Sequence, residues 1–169
     1  HVFSGICDVS RYSAVWGVDD DIEMGTVDIN KMFDLFVMHD LYLAQPSYDS
    51  GSYTIWDMAV VDERYRLRYT NFVENGVTVF SGNALKKCLP VMKDIETGCG
   101  SDYIFPFLLD FPKNKIAIID DVQCHHPDGD SSLDKIVPRV YHGREAERLM
   151  NKYHYKYYTP RVLGGIERN

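Results

Sequence analysis

The sequence predicts an α/β fold: a mixed, mostly parallel sheet flanked by helices, in one domain spanning residues 1–169. Three observations predict it. An apolar, β-branched and aromatic segment, Tyr12–Val18, precedes an amphipathic helical pattern and then a short strand, Leu41–Ala44, and that strand–helix–strand order implies parallel neighbours. A second apolar strand, Lys115–Ile119, lies far down the chain and runs into Asp120-Asp121. The composition, 45% hydrophobic and 25% charged over 169 residues, is that of one globular domain with a self-sufficient core.

The elements follow in order. Tyr12–Val18 reads as a buried strand that runs into Asp19-Asp20-Asp21. Thr26 reads as a helix N-cap with Asp28 in the first turn. Ile29, Met32, Phe33, Phe36 and Val37 fall at i, i+3, i+4, i+7 and i+8, one face of a helix ending near His39. Gln45-Pro46 is expected to stop the strand Leu41–Ala44. Tyr53–Val61 and Arg66–Val73 read as antiparallel strands, and Val77–Phe80 as another. Asn83–Leu89 reads as a helix interrupted by Pro90, and Ser101 as the cap of a helix to about Leu109 with Pro106 inside it. Gly143–Tyr153 completes the helices, and the Tyr-rich tail from His154 has no clear assignment.

Charge and cysteines exclude several classes. Acidic residues number 25 against 18 basic ones, a formal charge of −7, so the chain is a poor generic binder of nucleic acid or anionic membrane. No apolar run approaches the roughly 18–20 residues of a membrane span. Cys7, Cys88, Cys99 and Cys124 are scattered without a C-x-x-C pair, which excludes zinc-ribbon and thioredoxin chemistry. Few cysteines and no N-x-[ST] sequon lean towards a reducing, cytoplasmic compartment. Nothing in the sequence sets an oligomeric state.

Five constellations carry candidate chemistry. Asp19-Asp20-Asp21 ends a strand, where ligands of open α/β sheets collect, and adjacent carboxylates suit Mg²⁺ or Mn²⁺; the alternative is a solvated acidic turn. Gly98-Cys99-Gly100 lets the backbone approach a ligand and delivers Asp102 to a helix start, where it either takes a proton from a sugar hydroxyl or serves only as a helix-start charge. His125-His126 offers one imidazole to a metal, since neighbours on a strand point oppositely. Asn71 and Glu74 are polar in a stretch that otherwise reads as buried, so they are wired into a network or face a pocket. Nearby Arg64, Arg66 and Arg68 alternate along a strand, to meet phosphate or to form a solvated face. The 22 aromatic residues, 12 of them Tyr, suit sugar stacking as well as an ordinary core.

Taken in order, these motifs resemble the domain-of-unknown-function family 707, considered glycosyltransferase-like with a GT-A fold. The matching stretches are Val18-Asp19-Asp20-Asp21-Ile22, Leu43-Ala44-Gln45-Pro46-Ser47, Arg68-Tyr69-Thr70-Asn71-Phe72-Val73-Glu74, Gly98 to Asp102, and Ala117-Ile118-Ile119-Asp120 followed by His125 or His126. They span about Val15 to Pro127. The family's glycine turn carries Trp where Cys99 stands, and after Glu74 it continues Met-Ala-Pro where this chain has Asn75-Gly76-Val77. Only 18 residues precede Asp19, too few for a nucleotide-binding β-α-β unit of ~30 or more residues, so the expectation is an N-terminally truncated GT-A fold.

The resemblance implies a metal-dependent glycosyltransferase that moves a sugar from a nucleotide-sugar donor to a saccharide or other hydroxyl acceptor, with inversion. It implies Asp19 and Asp21, with His125 or His126, as ligands of Mn²⁺ or Mg²⁺, and Asp19, Asp20, Asn71 and Glu74 as cofactor-binding residues. It implies Asp102 as the general base. Two alternatives stand beside it: a non-catalytic carbohydrate- or protein-binding module on the same fold, and a two-metal phosphoryl or nucleotidyl enzyme that adds Asp120 and Asp121 to the triplet.

Overall fold

The computed structural model describes residues 8–127 and 139–169. Six strands form one open sheet: β1 (Ala14–Trp16), β2 (Leu43–Tyr48), β3 (Tyr65–Thr70), β4 (Val79–Ser81), β5 (Ile116–Cys124) and β6 (Val162–Glu167), in the spatial order β1-β4-β2-β5-β3-β6. Among the described residues four α-helices accompany it: α1 (Thr26–Met38), α2 (Gly82–Met92), α3 (Ser101–Leu108) and α4 (Arg139–Tyr153). Cys7 lies outside the described residues, and Cys88, Cys99 and Cys124 are free thiols. Among the described residues no helix is long and apolar enough to cross a membrane.

The α/β class and the flanking helices match the sequence expectation, but the sheet is not mostly parallel. Among the described strands only β2 and β5 pair in parallel; β1–β4, β4–β2, β5–β3 and β3–β6 are antiparallel. The strand–helix–strand unit exists, since β1 and β2 run in the same direction. What sequence order could not reveal is that β4, arriving later, inserts between them and reverses both contacts.

Alternation along the strands builds a core on each face of the sheet. Leu43, Phe80 and Ile116 pack against α2, α3 and α4, through Leu85, Ile104, Phe105 and Leu149. Their neighbours Ala44, Val79 and Ala117 face the opposite way, onto Met32, Leu35 and Phe36 of α1. The buried stripe of α1 is therefore rotated from the expected one, because Leu35 is covered while Val37 is 54% exposed. The helix is capped by Gly25, without a side-chain bond, and Thr26 is its first residue.

The prolines are tolerated where they were expected to break elements. Pro46 lies inside β2 at a register shift against β5, and β4 pairs only with Leu43 and Ala44. From Gln45 onward one flank of β2 has no ladder, so the missing N–H costs little. Pro90 lies within α2, which Ser81 caps by accepting from the Ala84 amide at 3.2 Å, and Pro106 lies within α3. Tyr53–Val61 is a loop with one 3-10 turn at Asp57–Ala59 rather than a strand. The tail forms the edge strand β6 against β3.

This topology concentrates loops at one edge. The C-terminal ends of β1, β2 and β5 meet there, together with residues 74–77 that lead into β4. Beyond β1 the chain keeps to that path: the amides of Gly17 and Asp19 donate to the carbonyls of Thr78 and Gly76, each at 2.9 Å. The Trp16 indole donates to the Val77 carbonyl at 3.1 Å.

Candidate active site

The acidic triplet is held at this edge by backbone bonds, with Asp19 over Gly76. A β-carbon at residue 76 would meet the Asp19 carboxylate, the flexible end of a side chain, which would have to move aside. Asp19 titrates above its ordinary value, first because its surroundings desolvate it, then because Asp21 repels its charge, with His126 offsetting part of this.

β5 delivers the two histidines to the same edge and separates them. The Nδ1 of His126 donates to the Tyr53 carbonyl at 2.8 Å, which can only accept. That bond places a proton on Nδ1, and Nε2 lies 3.6 Å from Asp21 Oδ2. His125 turns to Asp49, with Nδ1 3.0 Å from its Oδ2, and its backbone bridges to Glu23. Of the two, His126 is the one placed beside the triplet.

Glu74 lies deeper. Its amide donates to the buried Gln45 Oε1 at 2.7 Å, which joins the Gln45-Pro46-Ser47 stretch to the site. Its carboxyl accepts from Thr54 Oγ at 3.2 Å and is hydrogen-bonded to the Tyr48 hydroxyl. The Tyr48 ring stacks on His126 with centroids 5.9 Å apart. Burial pushes Glu74 up to about 7, and the nearby His126 and its hydrogen bonds hold it from rising further.

Asp102 enters at the start of α3. Gly98 and Gly100 carry φ of +87° and +89°, the left-handed backbone expected of this turn. Burial pushes Asp102 up to about 7, against a hydrogen bond from the Tyr103 amide at 3.1 Å, and the Glu74 charge adds to the rise. Two carboxyls that interact and titrate near neutrality can each hold or release a proton at working pH.

Asn71 has a different place. Its Nδ2 donates to the Thr159 carbonyl at 3.0 Å and its Oδ1 accepts from the Arg161 amide at 2.8 Å, so both ends of the amide clip the C-terminal segment to the end of β3. Asp20 stays exposed on the triplet loop. The three arginines are paired with carboxylates: Arg64 with Asp62, Arg66 with Asp121, and Arg68 with Asp120. Asp121 also meets Arg168 and Lys31. Asp120 and Asp121 are therefore committed to ion pairs, which removes the two-metal arrangement as a use for them.

Several residues that build the site escaped the sequence reading. Glu145 of α4 is buried and accepts from the amides of Glu96 and Thr97 and from the Thr97 hydroxyl, which fixes the approach to the glycine turn. Tyr48, Gln45 and Thr54 surround Glu74. Gln45 lies in a stretch marked by the family resemblance, but its role, like those of Tyr48, Thr54 and Glu145, had no local signal, because each acts through a partner at least 20 residues away. A cavity of about 670 Å³ lies at the other end of β2 and β4, beside Tyr42 and Ser81, and the carboxylate that lines it, Asp40, is paired with Lys115. The convergent titratable groups are not there.

Among the described residues no three His, Cys, Asp or Glu side chains are gathered closely enough to enclose a metal ion. Asp21 and His126 form a two-member set with Asp19 beside them. That set fits a cation that keeps open positions for phosphate oxygens, as Mg²⁺ does with one or two carboxylates and a bound nucleotide. An Nδ1–H bonded to a backbone carbonyl is also the outer-shell arrangement that orients a metal-binding imidazole. Comparison of the chain with protein-family models, with curated proteins and with solved structures finds no match.

Proposed function

We propose that this chain is a metal-dependent glycosyltransferase, or the catalytic and acceptor-binding part of one, on a GT-A-like fold. One observation carries the reading: Asp19, Asp21 and His126 interact at one sheet edge, Glu74 interacts with Asp19 and His126, and Asp102 interacts with Glu74, so groups from four distant segments form one connected chain of charges. Among the described residues no lysine or arginine acts on Asp19 or Asp102 there, so a nucleotide diphosphate would draw on a cation to bind. Asp21 and His126, with Asp19 adjacent, would hold Mn²⁺ or Mg²⁺, which supplies charge stabilisation to the leaving diphosphate.

The chain's own residues supply the rest. Asp102 accepts the proton of the acceptor hydroxyl while that oxygen bonds to the anomeric carbon of the donor and the bond to the nucleoside diphosphate breaks. Attack from the face opposite the leaving group inverts the centre. Burial raises Asp102 to about 7, and the charge of Glu74, anchored by Thr54, Tyr48 and Gln45, adds to that rise, so that Asp102 takes the proton at working pH.

The test is a thermal-shift panel of Mn²⁺ or Mg²⁺ with UDP, GDP, CMP and their sugars, since ligands of the native state raise its melting temperature. A metal-dependent shift with one nucleotide, abolished in Asp21→Ala, is expected. Asp102→Asn is expected to keep that shift and lose on the order of 10²-fold or more in turnover. No shift with any pair, or a shift unchanged in Asp21→Ala, overturns the proposal; a chain that binds saccharide without turnover is a binding module.

A further inference from the structure

The aromatic residues around Asp102 bear on the acceptor. Tyr103, next to Asp102, is the hub: its ring lies 5.4 Å from Phe72, 6.1 Å from Trp56, 4.7 Å from Tyr157 and 5.1 Å from Tyr158, in edge-to-face contacts. Trp56 follows Thr54, the residue that donates to Glu74, and its own amide donates to the Thr54 hydroxyl at 3.0 Å. The tail residues are held in register from three sides. Asn71 clips Thr159 and Arg161, the Tyr158 hydroxyl donates to the Tyr103 carbonyl at 3.2 Å, and the Tyr155 hydroxyl donates to the Gly100 carbonyl at 3.2 Å. Tyr155 is buried by this, whereas Tyr157 stays 52% exposed with its ring against Tyr103.

We propose that the exposed ring of Tyr157, backed by Tyr103 and Trp56, is the acceptor platform beside Asp102, that it receives a neutral pyranose, and that Asn71 is a positioning residue for it. The proposal rests on the transferase reading of the same site and names its acceptor class. An aromatic face with a polar edge matches a sugar ring, which has an apolar C–H face and hydroxyls at its rim. Beside the platform lie the carboxyls Asp102 and Glu74, and among the described residues no lysine or arginine acts on Asp102, so an anionic sugar meets no cation there and is disfavoured. The same carboxyls accept hydrogen bonds from hydroxyls.

Saturation-transfer NMR on the full chain, with Mn²⁺ and UDP absent and then present, tests this with methyl glucoside, galactoside and mannoside against methyl glucuronide. At least one neutral pyranoside is expected to bind, and the glucuronide to bind roughly ten-fold more weakly. Tyr157→Ala is expected to weaken the neutral sugar about five-fold, and Tyr157→Phe to retain it within about two-fold. Asn71→Ala is expected to weaken the sugar while leaving the metal–nucleotide thermal shift in place, a split that general destabilisation does not produce. No binding of any neutral pyranoside at about 10 mM, equal binding of the glucuronide, or unchanged binding in Tyr157→Ala overturns the platform. A preserved nucleotide shift with no saccharide binding defeats the platform alone; saccharide binding with no nucleotide shift defeats the transferase reading alone.

Discussion

Replacing Glu74 by Gln should stabilise the protein at alkaline pH and leave it unchanged in acid. The carboxyl titrates near 7 in the fold against an ordinary 4.5, chiefly because burial disfavours its charge. Below pH 4.5 it is protonated in both folded and unfolded chains, and its ionisation costs the fold nothing. As pH rises from 4.5 to 7 the unfolded chain releases this proton first, so native stability falls through that window. Above pH 7 the loss is complete, and the separation of the two values corresponds to about 3 kcal/mol. Gln keeps an acceptor for Thr54 or Tyr48 and cannot ionise, so it removes the loss. Urea unfolding at pH 4, 6 and 8 reads this directly. With a slope of about 1–3 kcal/mol/M, the variant's midpoint should rise by about 1–2 M at pH 8 and not at pH 4. An equal shift at both pH values, or a loss of stability at pH 8, would refute an ionised Glu74 held against burial.

Two further outcomes follow from the same geometry. Arg68 is 4% exposed; it binds Asp120 through two bonds of 2.7 and 2.8 Å and donates to the carbonyls of Met58 and Val60. Arg68→Ala strands a buried carboxylate and should cost about 3–5 kcal/mol, a fall of about 6–20 °C in calorimetric melting temperature; the pair Arg68→Met with Asp120→Leu should recover most of it, and a single variant that melts like the wild type would contradict the assignment. Gly76→Ala should displace the Asp19 carboxylate, the flexible end of a side chain, and so change stability by under about 0.5 kcal/mol while weakening the Mn²⁺-dependent nucleotide shift; calorimetry and the thermal-shift panel separate the two effects.

Local chemistry made the site legible in pieces. The acidic triplet, the Gly98–Gly100 turn, Asp102 and the histidine pair were all marked by residue type and spacing, and the left-handed φ values at Gly98 and Gly100 are what such a turn demands. Asn71 shows the limit of that reading. A polar residue in an apolar stretch signals a needed partner, but the partner, a backbone segment near residue 160, is named only by the packing of the tail. The arginine stripe behaves alike: alternation predicted one strand for the three, β3 carries only Arg66 and Arg68 with Arg64 in the turn before it, and the positions of Asp62, Asp120 and Asp121 made all three ion pairs.

By itself the sequence determined the α/β class, the span of α1 to within a residue, the start of the apolar strand β5 to within a residue but not its extension past Ile119, and the acidic net charge. These are set by short-range terms: periodicity, glycine conformation and net charge. Tertiary structure alone decided that β4 lies between β1 and β2, that β2 runs through Pro46, that His126 rather than His125 stands beside Asp21, and that burial brings Glu74 and Asp102 to about 7. Strand order, the unpaired flank that excuses a proline, and the desolvation that raises a carboxyl all depend on which distant segments meet, and no local window of sequence contains that information.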